Sequence, residues 1–426
     1  MKKVMLKTTL SLAVTLASSQ LFASGFALNE QSISGMGTGF AGRSSSADDA
    51  STVYGNPAGM SRLKQQQITG GVAAIDASTD INDASGNRTG TNKGDMVPFT
   101  AVPMGFYVKP IDDHWAFGLG VYAPFGLITD YENSFQGRNF GSKSEVKVIT
   151  FQPTVSYAFN DRVSIGFGPT INHISGKLES ALKTPFSPND GNVEIKGDDI
   201  GYGYNIGLLV QATDTTRVGL TYHSKVKYKL DGHTEVTPGA GTSPAFIPAN
   251  RYDASLKLET PESADLSVTQ EINDAWTVYA GATWTGWSRL KDITVNNKNV
   301  PAGALGLNGQ IFNSIKEDQN WHDTWAYAIG TSYQLNKQWV LRTGLTLDQS
   351  PTNNTDRSPR IPTGDRTIFS LGAGWSPTPD WTIDVAYSYL KEEKVNVNRT
   401  NALGQAYSAE YENSANGFGV GATYRF

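Results

Sequence analysis

The sequence predicts an all-β fold, a 14-stranded antiparallel transmembrane β-barrel plugged by a small N-terminal hatch-like segment. Three observations carry this: apolar and polar residues alternate in segment after segment, aromatics gather at segment ends, and short polar turns alternate with long loops. The last ten residues, GFGVGATYRF, show the alternation. Phe418, Val420, Ala422, Tyr424 and Phe426 share one face of an extended strand, and Gly417, Gly419, Gly421, Thr423 and Arg425 share the other. The pattern recurs over 325–333, 339–347 and 381–389, each opening on Trp. A soluble sandwich would bury Val, Ile and Leu instead of placing Trp and Tyr at strand ends, where a membrane interface needs them.

Composition agrees. Charged residues are 18% of 426, below the roughly 25% usual for soluble domains. Mean hydropathy is −0.34. Past the N-terminus no apolar run reaches the length of about 18 residues that a transmembrane helix needs, so any spanning structure must be a barrel. There is no cysteine, which excludes disulfides and thiolate chemistry.

Residues 1–23, MKKVMLKTTLSLAVTLASSQLFA, read as a secretory signal peptide cleaved after Ala23, with Lys2, Lys3 and Lys7 ahead of an apolar stretch. Losing those three lysines takes the net charge from −5 to −8, a poor match for nucleic acid. Residues 24–63 do not alternate. They are rich in Gly, Ser and Ala, and Asp48 or Asp49 is placed to cap a short helix. A barrel of this size has a lumen too wide for its own wall side chains to fill, so this segment reads as an internal plug.

Residues 64–426 form the barrel. Short polar turns are expected at 111–115, 159–163, 212–218, 272–276, 335–339 and 376–381, four of them ending in Trp. Six such turns join twelve strands; a first strand near 65–77 and a last near 412–426 make 14. An even count puts both termini on the periplasmic side.

Catalytic and cofactor signals are weak. GTGFAG, residues 37–42, matches a dinucleotide-binding glycine pattern but lacks a preceding strand and a βαβ unit. His114, His173, His223, His233 and His322 show no metal-ligand spacing, and no nucleophile elbow is present. No catalytic residue, metal or cofactor is expected. Two other stretches are more informative. In VYAPFGLI, 121–128, Pro124 removes a ladder donor and Gly126 supports a bend, which reads either as a gap in the wall or as the start of a loop. In YGNPAG, 54–59, Pro57 begins a turn or short helix, and the Asn56 amide is suited to satisfy backbone groups left unpaired by a wall defect.

Over essentially the whole mature chain the sequence resembles the FadL-type channels, outer-membrane transporters of long-chain fatty acids and other hydrophobic compounds in Gram-negative bacteria. GFALNEQSISGMGTGFAGRSSSADDASTVYGNPAGM resembles the family's N-terminal hatch, including its Asn-Pro-Ala element at Asn56, Pro57 and Ala58. APFGL, from Ala123 through Pro124, Phe125 and Gly126 to Leu127, resembles the kinked third strand, and LRTGLTLDQSP and the terminal YRF are also similar.

The resemblance implies passive transport. Ligand caught among the extracellular loops passes to an inner pocket, shifts the hatch N-terminus at Gly25, Phe26 and Leu28, and leaves sideways through the strand-three gap. Lys177 and His322 are then candidate carboxylate contacts, although Ser175 stands where an arginine is expected. Long-chain fatty acids are the leading reading; a ligand set short of basic residues makes uncharged compounds such as aromatic hydrocarbons the alternative. The resemblance further implies a monomer among outer-membrane lipid and lipopolysaccharide, with its terminal aromatic strand read by the barrel-assembly machinery. Rival readings are a lipid-acting outer-membrane enzyme and a general porin; the absent catalytic constellation and the plug weigh against them.

Overall fold

A computed structural model describes residues 25–183, 189–243, 247–303, 306–401 and 404–426, so the signal segment lies outside the described residues. The strands are β1 Gln67–Gly86, β2 Thr100–Pro110, β3 Trp115–Asp130, β4 Lys143–Ala158, β5 Val163–Leu182, β6 Gly191–Gln211 and β7 Thr216–His223. They continue with β8 Val226–Thr237, β9 Asn250–Thr260, β10 Ser263–Glu271, β11 Trp276–Thr285, β12 Asp292–Asn297 and β13 Ser314–Asp318. The last are β14 Thr324–Gln334, β15 Trp339–Asp348, β16 Arg366–Thr378, β17 Trp381–Glu392, β18 Val395–Thr400 and β19 Ala406–Arg425.

All belong to one antiparallel sheet that closes where β1 meets β19, with Gln67 opposite Arg425 and Gly86 opposite Tyr407. Closure removes the free edges that lipid could not hydrogen-bond. β8, β9, β12, β13 and β18 prolong β7, β10, β11, β14 and β17 beyond a break, so the wall has the expected 14 strands.

The six short turns lie where the sequence places them. In four, one Asp or Asn carboxyl or amide oxygen accepts two backbone N–H bonds that would otherwise be unsatisfied: Asp112, Asn160, Asn273 and Asn336. Register then sets the aromatic girdle. Trp115, Trp276, Trp339 and Trp381, each at a strand start, face Tyr157, Tyr333, Trp375 and Tyr424 directly across the ladder. Their ring centroids are 4.7–5.9 Å apart. Above them Phe418, Val420, Leu341, Leu345, Phe369 and Leu371 point outward and stay exposed, as a lipid-facing band requires.

The inward face receives the segment before β1. Ser32 caps a helix over Ile33–Gly37 by accepting from the Gly35 amide. A second short helix spans Thr52–Gly55, and Asp49 sits just ahead of it, accepting from the Ser51 amide at 2.8 Å. A 3-10 turn over Pro57–Arg62 starts at the proline, capped by the Asn56 side chain. Inward wall glycines make room for this chain. A Cβ at Gly219 would strike the Ser44 carbonyl, one at Gly166 the Pro57–Ala58 peptide, and one at Gly344 the Thr38 carbonyl. Wall side chains then bind the plug's backbone: Arg217 Nη2 to Ser46 O at 2.8 Å, Thr221 Oγ1 to Gly55 O at 2.8 Å, and Gln152 Nε2 to Val53 O at 2.9 Å.

Candidate functional site

Pro124 lies within β3, which runs on to Asp130, and not at the start of a loop. The β3–β4 register slips there: Tyr122 faces Thr150 but Phe125 faces Val148, so Ala123 and Pro124 share one partner position in a bulge. On the other side β2 is short. Its pairing with β3 ends at Gly105 opposite Val121, and β3 from Tyr122 upward has no β2 neighbour. The wall therefore has a gap in its ladder at APFGL.

The plug's first residues fill that hydrogen-bonding deficit. Ala27 forms a bridge to Phe125; the Leu28 amide donates to Pro124 O at 2.8 Å and the Gly126 amide to Phe26 O at 2.9 Å. The Gln31 side chain adds a buried bond to Ala123 O at 2.6 Å. The sequence points to Asn56 for such a role, and the structure places Asn56 elsewhere. Its Nδ2 donates to Ser44 O at 2.7 Å and to Leu208 O of β6 at 3.0 Å, while Pro57 and Ala58 pack at Gly166 of β5. The Asn-Pro-Ala element docks the plug floor, away from the gap.

Phe26 is buried among Trp287, Phe125 and Trp321, with centroids 4.8, 5.7 and 6.0 Å away. Gly25 precedes it at φ +64°, and a Cβ there would lie 2.7 Å from Trp321 and 2.9 Å from Trp287. Only glycine both adopts that backbone and slips between the two indoles. Trp287 sits in the break between β11 and β12, Trp321 in the break between β13 and β14. Sequence reasoning missed both. The signal was present, since neither Trp follows a short turn and so neither belongs to the periplasmic girdle.

This aromatic cluster separates two cavities. The upper one, about 830 Å³, is lined mainly by Phe26, Leu127, Ile174, Leu230, Leu256 and Leu258, with Lys177, Lys196 and Arg360 also on its lining. The lower one, about 1060 Å³, shares Leu28, Pro124 and Phe125 with the wall gap and is otherwise more polar, with Tyr122, Thr170, Asn172, Asn205 and His223.

The two candidate carboxylate contacts are not brought together. Lys177 lines the upper cavity, paired with Glu179 and, at 2.9 Å, with Glu194. His322 is exposed, does not line that cavity, and is held by its amide to Pro351 O at 3.1 Å. The other cations there are also paired, Lys196 with Glu194 at 2.5 Å and Arg360 with Glu317 at 3.1 Å. Glu194, His233 and Glu235 could bring ligand atoms within 4.8 Å of one another, a grouping that linear spacing does not reveal. Lys177 and Lys196 already pair with Glu194, and Arg251 Nη2 hydrogen-bonds His233 Nδ1 at 3.1 Å, so two of the three groups already have other partners. In the loops above, Asp190 is gripped by Arg88 and, at 2.8 Å, by Arg138. Burial raises its carboxyl, but the two guanidinium groups outweigh that and hold it below its ordinary value.

Residues 14–426 match the family described as "Outer membrane protein transport protein (OMPP1/FadL/TodX)". A long-chain fatty acid transport protein of Escherichia coli O6:H1 is 29% identical, covering 100% of this chain and 99% of its own length. Outer membrane protein P1 of Haemophilus influenzae is 28% identical, covering 96% and 95%. Among solved structures, a Pseudomonas aeruginosa FadL homologue superposes with a TM-score of 0.83 at 28% identity, covering 95% of this chain and 100% of that one. The Ralstonia pickettii toluene transporter TbuX shares the fold, with a TM-score of 0.69 at 20% identity over 92% and 97%. A plugged 14-stranded wall and a match along nearly the whole sequence agree: this chain is an outer-membrane β-barrel that belongs to the OMPP1/FadL/TodX family of transport proteins.

Proposed function

We propose that the chain is a passive outer-membrane channel for long-chain fatty acids, gated by its hatch and releasing ligand sideways through the β3 gap. The observation that carries this is the double engagement of residues 25–28. Phe26 stoppers the apolar cavity, while its carbonyl and the Leu28 amide complete the β3 ladder. A ligand that displaces Phe26 from Trp287 and Trp321 must pull on the bonds that seal the wall. The lower cavity, lined by Pro124 and Phe125, then opens toward lipid. Exit into lipid spares an acyl chain the transfer to water, which costs about 0.8 kcal/mol per methylene. The names of the Escherichia coli relatives point to the same ligand class.

One observation favours uncharged hydrocarbons instead: the cations lining the upper cavity are already neutralised by glutamates. A carboxylate must exchange with Glu179, Glu194 or Glu317, whereas a neutral ligand need only fill the leucine-rich lining.

The test is uptake of labelled oleate and of toluene by cells lacking their own transporter and expressing this chain. Oleate uptake supports the leading reading; uptake of toluene alone replaces it with the second. With the leading reading go a monomer without catalytic activity or cofactor, set among outer-membrane lipid and lipopolysaccharide. The exposed apolar band suits the lipid setting, and the terminal aromatic Phe426 suits recognition by the barrel-assembly machinery.

A further inference from the structure

The lower cavity carries one Arg or Lys on its lining, Arg43, and the expectations for this chain give it no role. Arg43 belongs to the hatch, between the Ile33–Gly37 helix and Thr52. It lines the chamber below Phe26 and a smaller cavity of about 520 Å³ within the hatch. Its guanidinium donates from Nη2 to Asn29 Oδ1 at 2.6 Å, and Cζ sits 5.3 Å from the Phe40 ring centroid. A guanidinium has five N–H donors, so most of its capacity is uncommitted.

Three acids lie near. Asp265 accepts from Ser44 and, at 2.6 Å, from Thr283, Asp348 lies 4.0 Å from Arg366, and the buried Glu30 feels the Arg43 charge without bonding to it. Among the described residues Arg43 has no ion pair, in contrast to Lys177, Lys196 and Arg360 above Phe26. A half-buried guanidinium held by one neutral amide and facing a cavity is suited to bind an anion. Asn172 and Asn205 line the same chamber, and both amides are hydrogen-bonded into the wall.

We propose that Arg43 is a second carboxylate site, below the hatch stopper, that holds the fatty-acid headgroup while the acyl chain enters the wall gap. The geometry sets the order of events. Pro124 and Phe125 of the gap line the same chamber as Arg43, so a headgroup held on the hatch directs the apolar tail toward lipid. The chain leaves tail first and the carboxylate last. This cation, which makes no ion-pair contact among the described residues, rather than the paired lysines above, makes the channel discriminate charged from neutral amphiphiles. This inference rests on the fatty-acid reading of the passage.

The experiment compares uptake of oleate and oleyl alcohol by cells carrying wild type, Arg43→Gln and Arg43→Lys, each checked for barrel folding by heat-modifiable migration. Oleate uptake is expected to fall about tenfold or more in Arg43→Gln and to recover in Arg43→Lys, with oleyl alcohol unchanged in all three. Equal oleate uptake by wild type and Arg43→Gln overturns the Arg43 site and leaves the channel reading standing. Equal losses for oleate and oleyl alcohol also overturn it, by assigning Arg43 to hatch packing. Failure of wild type to take up oleate strikes the channel reading itself, before any variant is compared.

Discussion

The Leu28 amide donates to the Pro124 carbonyl over 2.8 Å, so a residue of the hatch supplies the ladder bond that a residue of the wall lacks. Stopper and seal are one piece of backbone. Deletion of Pro124 removes the extra residue of the bulge and restores one-to-one register between β3 and β4. The barrel is expected to fold, as read by heat-modifiable migration, while ligand uptake falls to background. Undiminished uptake by the folded deletion variant would exclude exit at this strand.

Phe26→Ala empties the space between Trp287 and Trp321. Truncation of a buried Phe costs about 3–5 kcal/mol where neighbours cannot collapse, and here they are fixed indoles. Hydrogen exchange at the Leu28 amide should accelerate by at least about tenfold, since even a third of that cost is a factor of about ten in local opening. Unchanged exchange would mean that Phe26 does not hold the gate.

Gly219→Val tests how the hatch is seated. Its side chain meets the Ser44 carbonyl on the lumenal side, where neither backbone can retreat. The hatch is expected to be displaced while the wall persists, so single-channel conductance in planar bilayers should rise well above that of wild type. Wild-type conductance with a fully docked hatch would contradict the close approach.

Lys177→Ala and His322→Ala separate the two candidates that the sequence put together. Lys177 lines the upper cavity and His322 does not. Equilibrium binding of oleate to purified protein should weaken about tenfold in the first, the scale of a charge-assisted hydrogen bond, and stay at the wild-type value in the second. A loss in His322→Ala matching that in Lys177→Ala would show that the exposed loop folds over bound ligand.

The Asp190 cluster gives a pH expectation. Its carboxyl is depressed in the folded state, so its contribution is present above the unfolded value near 3.9 and is lost as pH falls through the lower folded value. Protease nicking of the extracellular loops should stay constant from pH 8 to about 5 and rise only in stronger acid. Asp190→Asn should nick at neutral pH as the wild type does in acid.

Much of this architecture was legible in the chain because period-two alternation is local. Trp339 and Leu341 face outward wherever the strand lies, and the Asp and Asn residues of the short turns fix where strands reverse. The glycines were visible too, but their purpose was not. Gly166, Gly219 and Gly344 are far apart in sequence, and only closure of the sheet turns them toward one plug. Asn56 shows the same limit. Its amide was read as a partner for backbone left unpaired by a wall defect; it binds the Leu208 carbonyl in the continuous ladder of β6 instead of the bulge in β3.

By itself the sequence determined the barrel, its strand count and the lipid-facing side of its alternating strands, since each follows from local pattern and turn chemistry, and it flagged Pro124 without deciding between a gap and a loop start. Tertiary structure alone decided what meets that weak point. Phe26 is hundreds of residues from Trp287 and Trp321, and nothing in their local patterns sets their distance. Their contact, the two cavities that it divides and the place of Arg43 beneath arise because a closed wall forces the hatch into one position. There its backbone satisfies the groups that lipid cannot.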